Sequence, residues 1–250
     1  MSHDVATDAE DIEDIGAAVR EGRPVRPARA YRIAVSDQSL VFRPVTVTDP
    51  VPLGREILQA AGFQNVDEYG LFAILPGGDF EDVRLDETFD LRGKGAERFV
   101  AFRSDRDFRL SLNGHELRWG EPVIAGTALY TLANVSDDQA VYLDTHGGED
   151  RLIEPGDQID LTQPGVERFV TAARKYEIIV NARKKTVTAS LVTFDQIVQL
   201  AYPGSHEPNV VFTMTFRHAA STPPAGELGP GGTVRVKNGT AFNVTRTVQS

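Results

Sequence analysis

Gly95-Ala-Glu-Arg-Phe-Val100 and Gly165-Val-Glu-Arg-Phe-Val170 share five of six residues, the last four of them consecutive, about 70 positions apart. An identical Glu-Arg-Phe-Val at that separation marks an internal repeat, which takes precedence over any local assignment. A looser version, Gly239-Thr-Ala-Phe-Asn-Val244, stands near the C-terminus. Working upstream from each copy gives the same succession of patterns. Tyr31, Ile33 and Val35 alternate with other positions, as do Phe108, Leu110 and Leu112, and again Tyr176, Ile178 and Val180. Alternation with period two predicts a strand with one buried face. The runs end at Ser36-Asp37, Asn113-Gly114 and Asn181-Ala182. Asn-Gly is the strongest of these turn signals, because a type I′ hairpin needs positive φ at both central residues.

A stretch of helical spacing follows each hairpin. Ile57, Leu58 and Ala61 share one face of a helix over 54–61, and Gly62 supplies its C-cap. Ala128, Leu129 and Leu132 do the same over 127–133, and Phe194, Ile197, Val198 and Ala201 over 194–201. Three units are therefore expected at 31–104, 108–174 and 176–250, each running hairpin, helix, strand pair, final strand. The fold class is α+β. Trp119, Phe99, Phe169 and Phe242 fall at strand positions and are read as core.

Composition narrows the chemistry. The chain has 250 residues, 26 Lys and Arg against 36 Asp and Glu, a net charge of −10 and 41% hydrophobic residues. That is enough apolar content for folded cores. The acidic balance argues against nucleic acid and anionic membrane as partners. Cys is absent, which removes disulfides, Cys-ligated zinc and thiol chemistry. Residues 1–30 begin acidic and without an apolar run, so no signal peptide or membrane span is expected, and a cytoplasmic chain is. Acidic residues from Asp4 to Asp14 precede Arg20, Arg23, Arg26 and Arg29. These thirty residues read as a solvated, disordered tail. Ile12, Ile15 and Val19 are too few to hold a helix in isolation.

The order ββαββ in about 70 residues resembles the β-grasp fold of ubiquitin, so three tandem β-grasp units are expected. The closer resemblance is to bacterial multiubiquitin-type proteins. It rests on Gly54-Arg-Glu-Ile-Leu58, on the two Gly-x-Glu-Arg-Phe-Val strands, and on the segment from Val234 to Ser250. The resemblance implies a ubiquitin-like protein modifier, not an enzyme. It also implies E1-like, E2-like and JAB-type peptidase partners in a bacterial pathway often tied to antiviral defence.

Three Gly-Gly pairs invite comparison with the ubiquitin tail: Gly77-Gly78, Gly147-Gly148 and Gly231-Gly232. Cleavage after Gly232 would delete Val234, Val236, Phe242 and Val244 from the third core. Each lost side chain is worth roughly 1.5–3 kcal/mol, more in sum than so small a unit can spare. All three pairs are read as turns. The conjugation residue is then Ser250, or one exposed by trimming, on a polar tail from Thr245. No Gly-x-Ser-x-Gly elbow or phosphate-binding Gly-Lys loop is present, and the five His residues form no ligand pair.

Carboxylates are the remaining chemical feature. Asp79, Glu81 and Asp82 follow one Gly-Gly turn, Asp144, Glu149 and Asp150 flank its equivalent, and Asp137-Asp138 follow the second helix. Oxygen ligands on turns suit Ca²⁺, although none has EF-hand spacing. By the family resemblance, Ca²⁺ bridging between subunits would accompany self-association. An alternative expectation is therefore a structural scaffold forming homo-oligomers or filaments.

Overall fold

The computed structural model describes residues 11–93, 95–145, 147–205, 207 and 209–248. An N-terminal arm comes first: strand β1 (Ile12–Asp14) and helix α1 (Ile15–Glu21). Asp14 caps the helix by accepting the Ala17 N–H at 2.8 Å, and Gly22, at φ 63°, closes it in the left-handed conformation. β1 pairs in parallel with Ala30–Arg32, and Ile15 and Ala18 are fully buried. The expectation of a disordered tail is therefore corrected for the residues from Ile12 onward, while 1–10 lie outside the described residues. Tertiary packing supplies what three apolar residues could not supply alone.

The first repeat follows with β2 (Ala30–Ser36), β3 (Arg43–Val47), α2 (Gly54–Ala60), a 3₁₀ turn (Val66–Glu68), β4 (Gly70–Ile74), β5 (Phe80–Asp82) and β6 (Arg98–Phe102). The second has β7 (Phe108–Leu112), β8 (His115–Trp119), β9 (Val123–Ala125), α3 (Gly126–Ala133), β10 (Gln139–Leu143), β11 (Arg151–Ile153), β12 (Gln158–Asp160) and β13 (Arg168–Ala173). The third has β14 (Tyr176–Val180), β15 (Arg183–Val187), β16 (Leu191–Thr193), α4 (Phe194–Ala201), β17 (Val210–Arg217), β18 (Gly226–Glu227), β19 (Thr233–Arg235) and β20 (Ala241–Val248). The result is a mixed α+β protein of three tandem repeats.

Each repeat places its last strand in parallel beside its first. Val35 pairs with Phe99, Leu112 with Phe169, and Val180 with Phe242. The repeated Phe thus occupies one position in three sheets and is at most 1% exposed in each. The sheet orders are β11-β10-β13-β7-β8 and β15-β14-β20-β17-β18; the first sheet, β1-β2-β6-β4-β5, also carries β3 on β2. Asn113 and Gly114 both take positive φ, 55° and 85°, as do Asn181 and Ala182, at 47° and 62°. These are the values that a tight hairpin requires. The second and third repeats add short two-stranded pairs, β9 with β12 and β16 with β19.

The chain divides into two compact units: 11–135 with 141–171, and 136–140 with 172–248. In the first unit, one core joins Ile57 and Leu58 of α2 to Ile33, Val35, Leu71, Phe99 and the arm residue Ile15. A second core crosses between repeats, joining Phe72, Ile74, Val100 and Phe102 to Trp119, Leu117, Leu129 and Phe169. Phe102 meets Trp119 edge-on, with ring centroids 4.7 Å apart. A Cβ on Gly120 would stand 2.3 Å from the Phe102 Cβ, so only glycine permits this approach. The first two repeats therefore share apolar packing rather than merely following one another. In the second unit, Ile197 and Val198 of α4 pack with Ile178, Val180, Met214, Val234, Phe242 and Val244.

Candidate functional site

The C-terminal strand is long because both its halves find a partner. β20 pairs antiparallel with β17 from Ala241↔Arg217 to Val248↔Val210. Its first half contributes to the core: Ala241, Phe242 and Val244 are 8%, 1% and 4% exposed. From Thr245 to Val248 every side chain is exposed. Neighbouring β14 ends at Val180, and the next residue, Asn181, continues the ladder with its side chain. Its Oδ1 accepts the Val244 N–H at 2.7 Å, and its Nδ2 donates to the Val244 carbonyl at 3.0 Å. Tyr202 adds a hydroxyl donor to the same carbonyl at 3.3 Å. Thr245–Val248 is thus strand, which corrects the expectation of a tail leaving the fold at Thr245. Ser250 lies outside the described residues.

The Gly-Gly pairs are turns. The Gly78 N–H donates to the Leu75 carbonyl at 2.9 Å, Gly148 to Thr145 at 3.1 Å, and Gly232 to Gly229 at 3.0 Å. Gly78, Gly147 and Gly231 take φ of 106°, 80° and 76°. The Gly232 carbonyl also accepts the Phe194 N–H that opens α4. Val234 and Val236, just beyond it, are each 2% exposed. A processing site at Gly232 would dismantle the third core.

Among the described residues, no three His, Asp or Glu side chains converge as a metal site. Asp79 instead ties the first repeat to the second, accepting the Glu116 N–H at 2.8 Å and lying 3.1 Å from His115 Nδ1. The Glu116 N–H, and then His115, hold its carboxyl below the usual value of 3.8 against the opposing effect of burial. Glu81 and Asp82 are successive strand residues and point to opposite faces. Asp138 accepts the Ser136 hydroxyl at 2.7 Å, and Asp137 is exposed. Asp144 pairs with Arg168 at 3.3 Å, while Glu149 and Asp150 are exposed. Of the histidines, His3, His146 and His206 fall outside the described residues.

The arm holds the most shielded carboxylate. Glu13 is 3% exposed and takes ion pairs from both Arg23 and Arg26, as well as the Arg26 N–H at 3.2 Å. Burial alone would raise its pKa, but the Arg23 and Arg26 hydrogen bonds prevail and bring it to about 2. Sequence reasoning missed Glu13 and Asn181 for different reasons. The sequence shows opposite charges near Glu13 but not its burial, and Asn181 carries only the signal of a turn residue. The charge asymmetry between repeats was legible all along. Residues 176–250 carry seven Lys and Arg against four Asp and Glu, whereas 108–174 carry five against eleven.

No helix among the described residues is long and apolar enough to cross a membrane. A search of curated proteins returned no match. A family model described as Multiubiquitin matches residues 40–104, 108–174 and 176–248, three tandem copies that span most of the chain. With the repeated sheet-and-helix units in place, that match settles the kinship: the chain belongs to the multiubiquitin family.

Proposed function

We propose that each repeat is a β-grasp, ubiquitin-like unit and that the protein is a modifier in a bacterial ubiquitination-like pathway. In this reading an E1-like partner activates the C-terminal carboxylate and an E2-like partner passes it on. The protein contributes no catalytic residue. One observation carries the reading: β20, beside the first strand of the third repeat, is anchored through Val244 and then runs on with four exposed side chains. A chain end presented from the middle strand of a sheet suits attack by an adenylating enzyme better than an end folded into a core. Family membership supports the same conclusion.

Reconstitution tests it. Incubated with an E1-like partner of a multiubiquitin system and ATP, the full chain forms a covalent adduct through its C-terminal residue, native or trimmed. A variant truncated after Thr245 does not. Undiminished adduct formation by the truncated variant would overturn the assignment.

A further inference from the structure

β20 has two halves with different restraints. From Ala241 to Val244 it is held on both edges, by β17 on one side and by β14 with Asn181 on the other. From Thr245 to Val248, among the described residues, only β17 pairs with it, and no side chain there is buried. The Val244 N–H points to Asn181, so alternation sends the N–H groups of Asn243, Thr245 and Thr247 toward β17. Those of Arg246 and Val248 point to the open edge. Segments with few buried contacts and exposed backbone hydrogen bonds open locally at low free energy.

The same device occurs once more. Asn113, at the equivalent hairpin turn, accepts the Thr171 N–H at 2.7 Å through Oδ1. Thr171 stands where Val244 stands, two residues after the repeated Phe. Beyond it Ala172 and Ala173 are exposed, and the chain passes to the next repeat. In the first repeat, which packs against the second, the equivalent residue is Ser36; its buried hydroxyl has no partner among the described residues and the strand pairing simply continues. The Asn thus stands where a final strand stops being core and becomes a leaving segment.

We propose that Thr245–Val248 peels from β17 as a unit, with Asn181 as the positioning residue that fixes the hinge at Val244. Peeling frees Thr245–Val248 as an extended segment about 14 Å long, at roughly 3.3–3.6 Å per residue. A tail of that reach gives an activating enzyme a thread to draw in, without the glycines that usually provide one. The purpose rests on the modifier reading, but the peeling does not.

Amide hydrogen exchange on the full chain, with no partner present, tests the peeling. The Thr245 and Thr247 amides should exchange about 100-fold faster than that of Asn243, although all three face β17. Asn181→Gly, which keeps the positive φ and removes both side-chain bonds, should bring Asn243 into the fast set while Met214 and Phe242 stay protected. Equal protection of Asn243, Thr245 and Thr247 would overturn the hinge. The purpose is tested separately, and the absence of native Cys makes the test clean. Val211→Cys with Thr247→Cys places two thiols on one cross-strand pair. Bridged by a short thiol reagent, this variant should lose adduct formation with the E1-like partner and ATP, and the unbridged variant should keep it. Equal activity of the two would overturn the need for peeling. Inactivity of both, with fast exchange at Thr245 and Thr247, would overturn the modifier reading and leave the hinge standing.

Discussion

The outer faces of the first and third sheets differ sharply, although both come from equivalent strands. In the first repeat that face is Phe72, Ile74, Val100 and Phe102, none more than 6% exposed, packed on Trp119 and its neighbours. In the third it is Val211, Thr213, Thr215, Asn243, Thr245 and Thr247, all exposed. Side chains alternate across a strand, so the same ladder can carry an inner layer or a water-facing surface by changing every second residue. The first repeat is built to be covered. The third presents a mostly polar face to water. Its edge strand β15 adds Arg183, Lys184 and Lys185, the kind of charged edge that discourages further strand pairing.

The largest expected effect lies at the covered face. Phe102→Ala should cost about 3–5 kcal/mol in equilibrium unfolding, because it empties a site that nothing can refill. Gly120→Ala should be comparably severe, since its Cβ would overlap Phe102. If either variant unfolds like the native chain, the shared core is not the bond between the first two repeats.

A smaller effect belongs to the arm. Glu13→Gln should destabilise by about 1–3 kcal/mol, because the buried side chain loses its charge and one of its two acceptor oxygens for Arg23 and Arg26. Its folded pKa of about 2 lies below the ordinary 4.5, so its stabilisation is present above about pH 4.5 and is lost as pH falls toward 2. An acid titration of exchange at Ile15 and Ala18 reads this directly. An arm that releases at the same pH in Glu13→Gln and native protein would show that the ion pair does not hold it.

Asp79→Asn should cost about 1 kcal/mol at the junction of the first two repeats, because the Glu116 N–H keeps an acceptor but loses a charged one. Asp79 also titrates low, so its contribution is likewise present above the ordinary value of 3.8 and lost below it. At the foot of the scale, Thr215→Ala on the exposed face should change stability by no more than about 0.5 kcal/mol. A large loss there would mean that the third face is covered after all.

Much of this architecture was legible in the sequence because it depends on local periodicity. The three helices of the repeats lie within a residue of the spans their spacing gives, and Asn113-Gly114 has the positive φ its residues favour, whereas Ala182 takes a positive φ that its residue type did not announce. The covered face was also written in the chain: Leu71-Phe-Ala-Ile74 and Phe99-Val-Ala-Phe102 are apolar on both faces, as strands buried between layers are. The ordered arm was not legible, because Ile15 finds its partners only in the first repeat's core and Glu13 reaches Arg23 and Arg26 across ten and thirteen residues. The polar stretch Thr245–Val248 looked like a tail because a strand half with no buried face leaves no period-two signal. The carboxylates looked like clusters because proximity in sequence hides the opposite directions of neighbouring strand residues.

The central claim is that the C-terminal end is the reacting end, and trypsin offers the most direct test of it. Cleavage after Arg246 leaves Thr247-Val-Gln-Ser250 on whatever amine the chain has joined. Mass spectrometry of adducts formed with E1-like and E2-like partners should find acceptor lysines carrying that four-residue remnant, or a shorter one beginning at Thr247. Adducts whose Thr247-Val-Gln-Ser250 peptide is recovered free, with no remnant on any lysine, would contradict it.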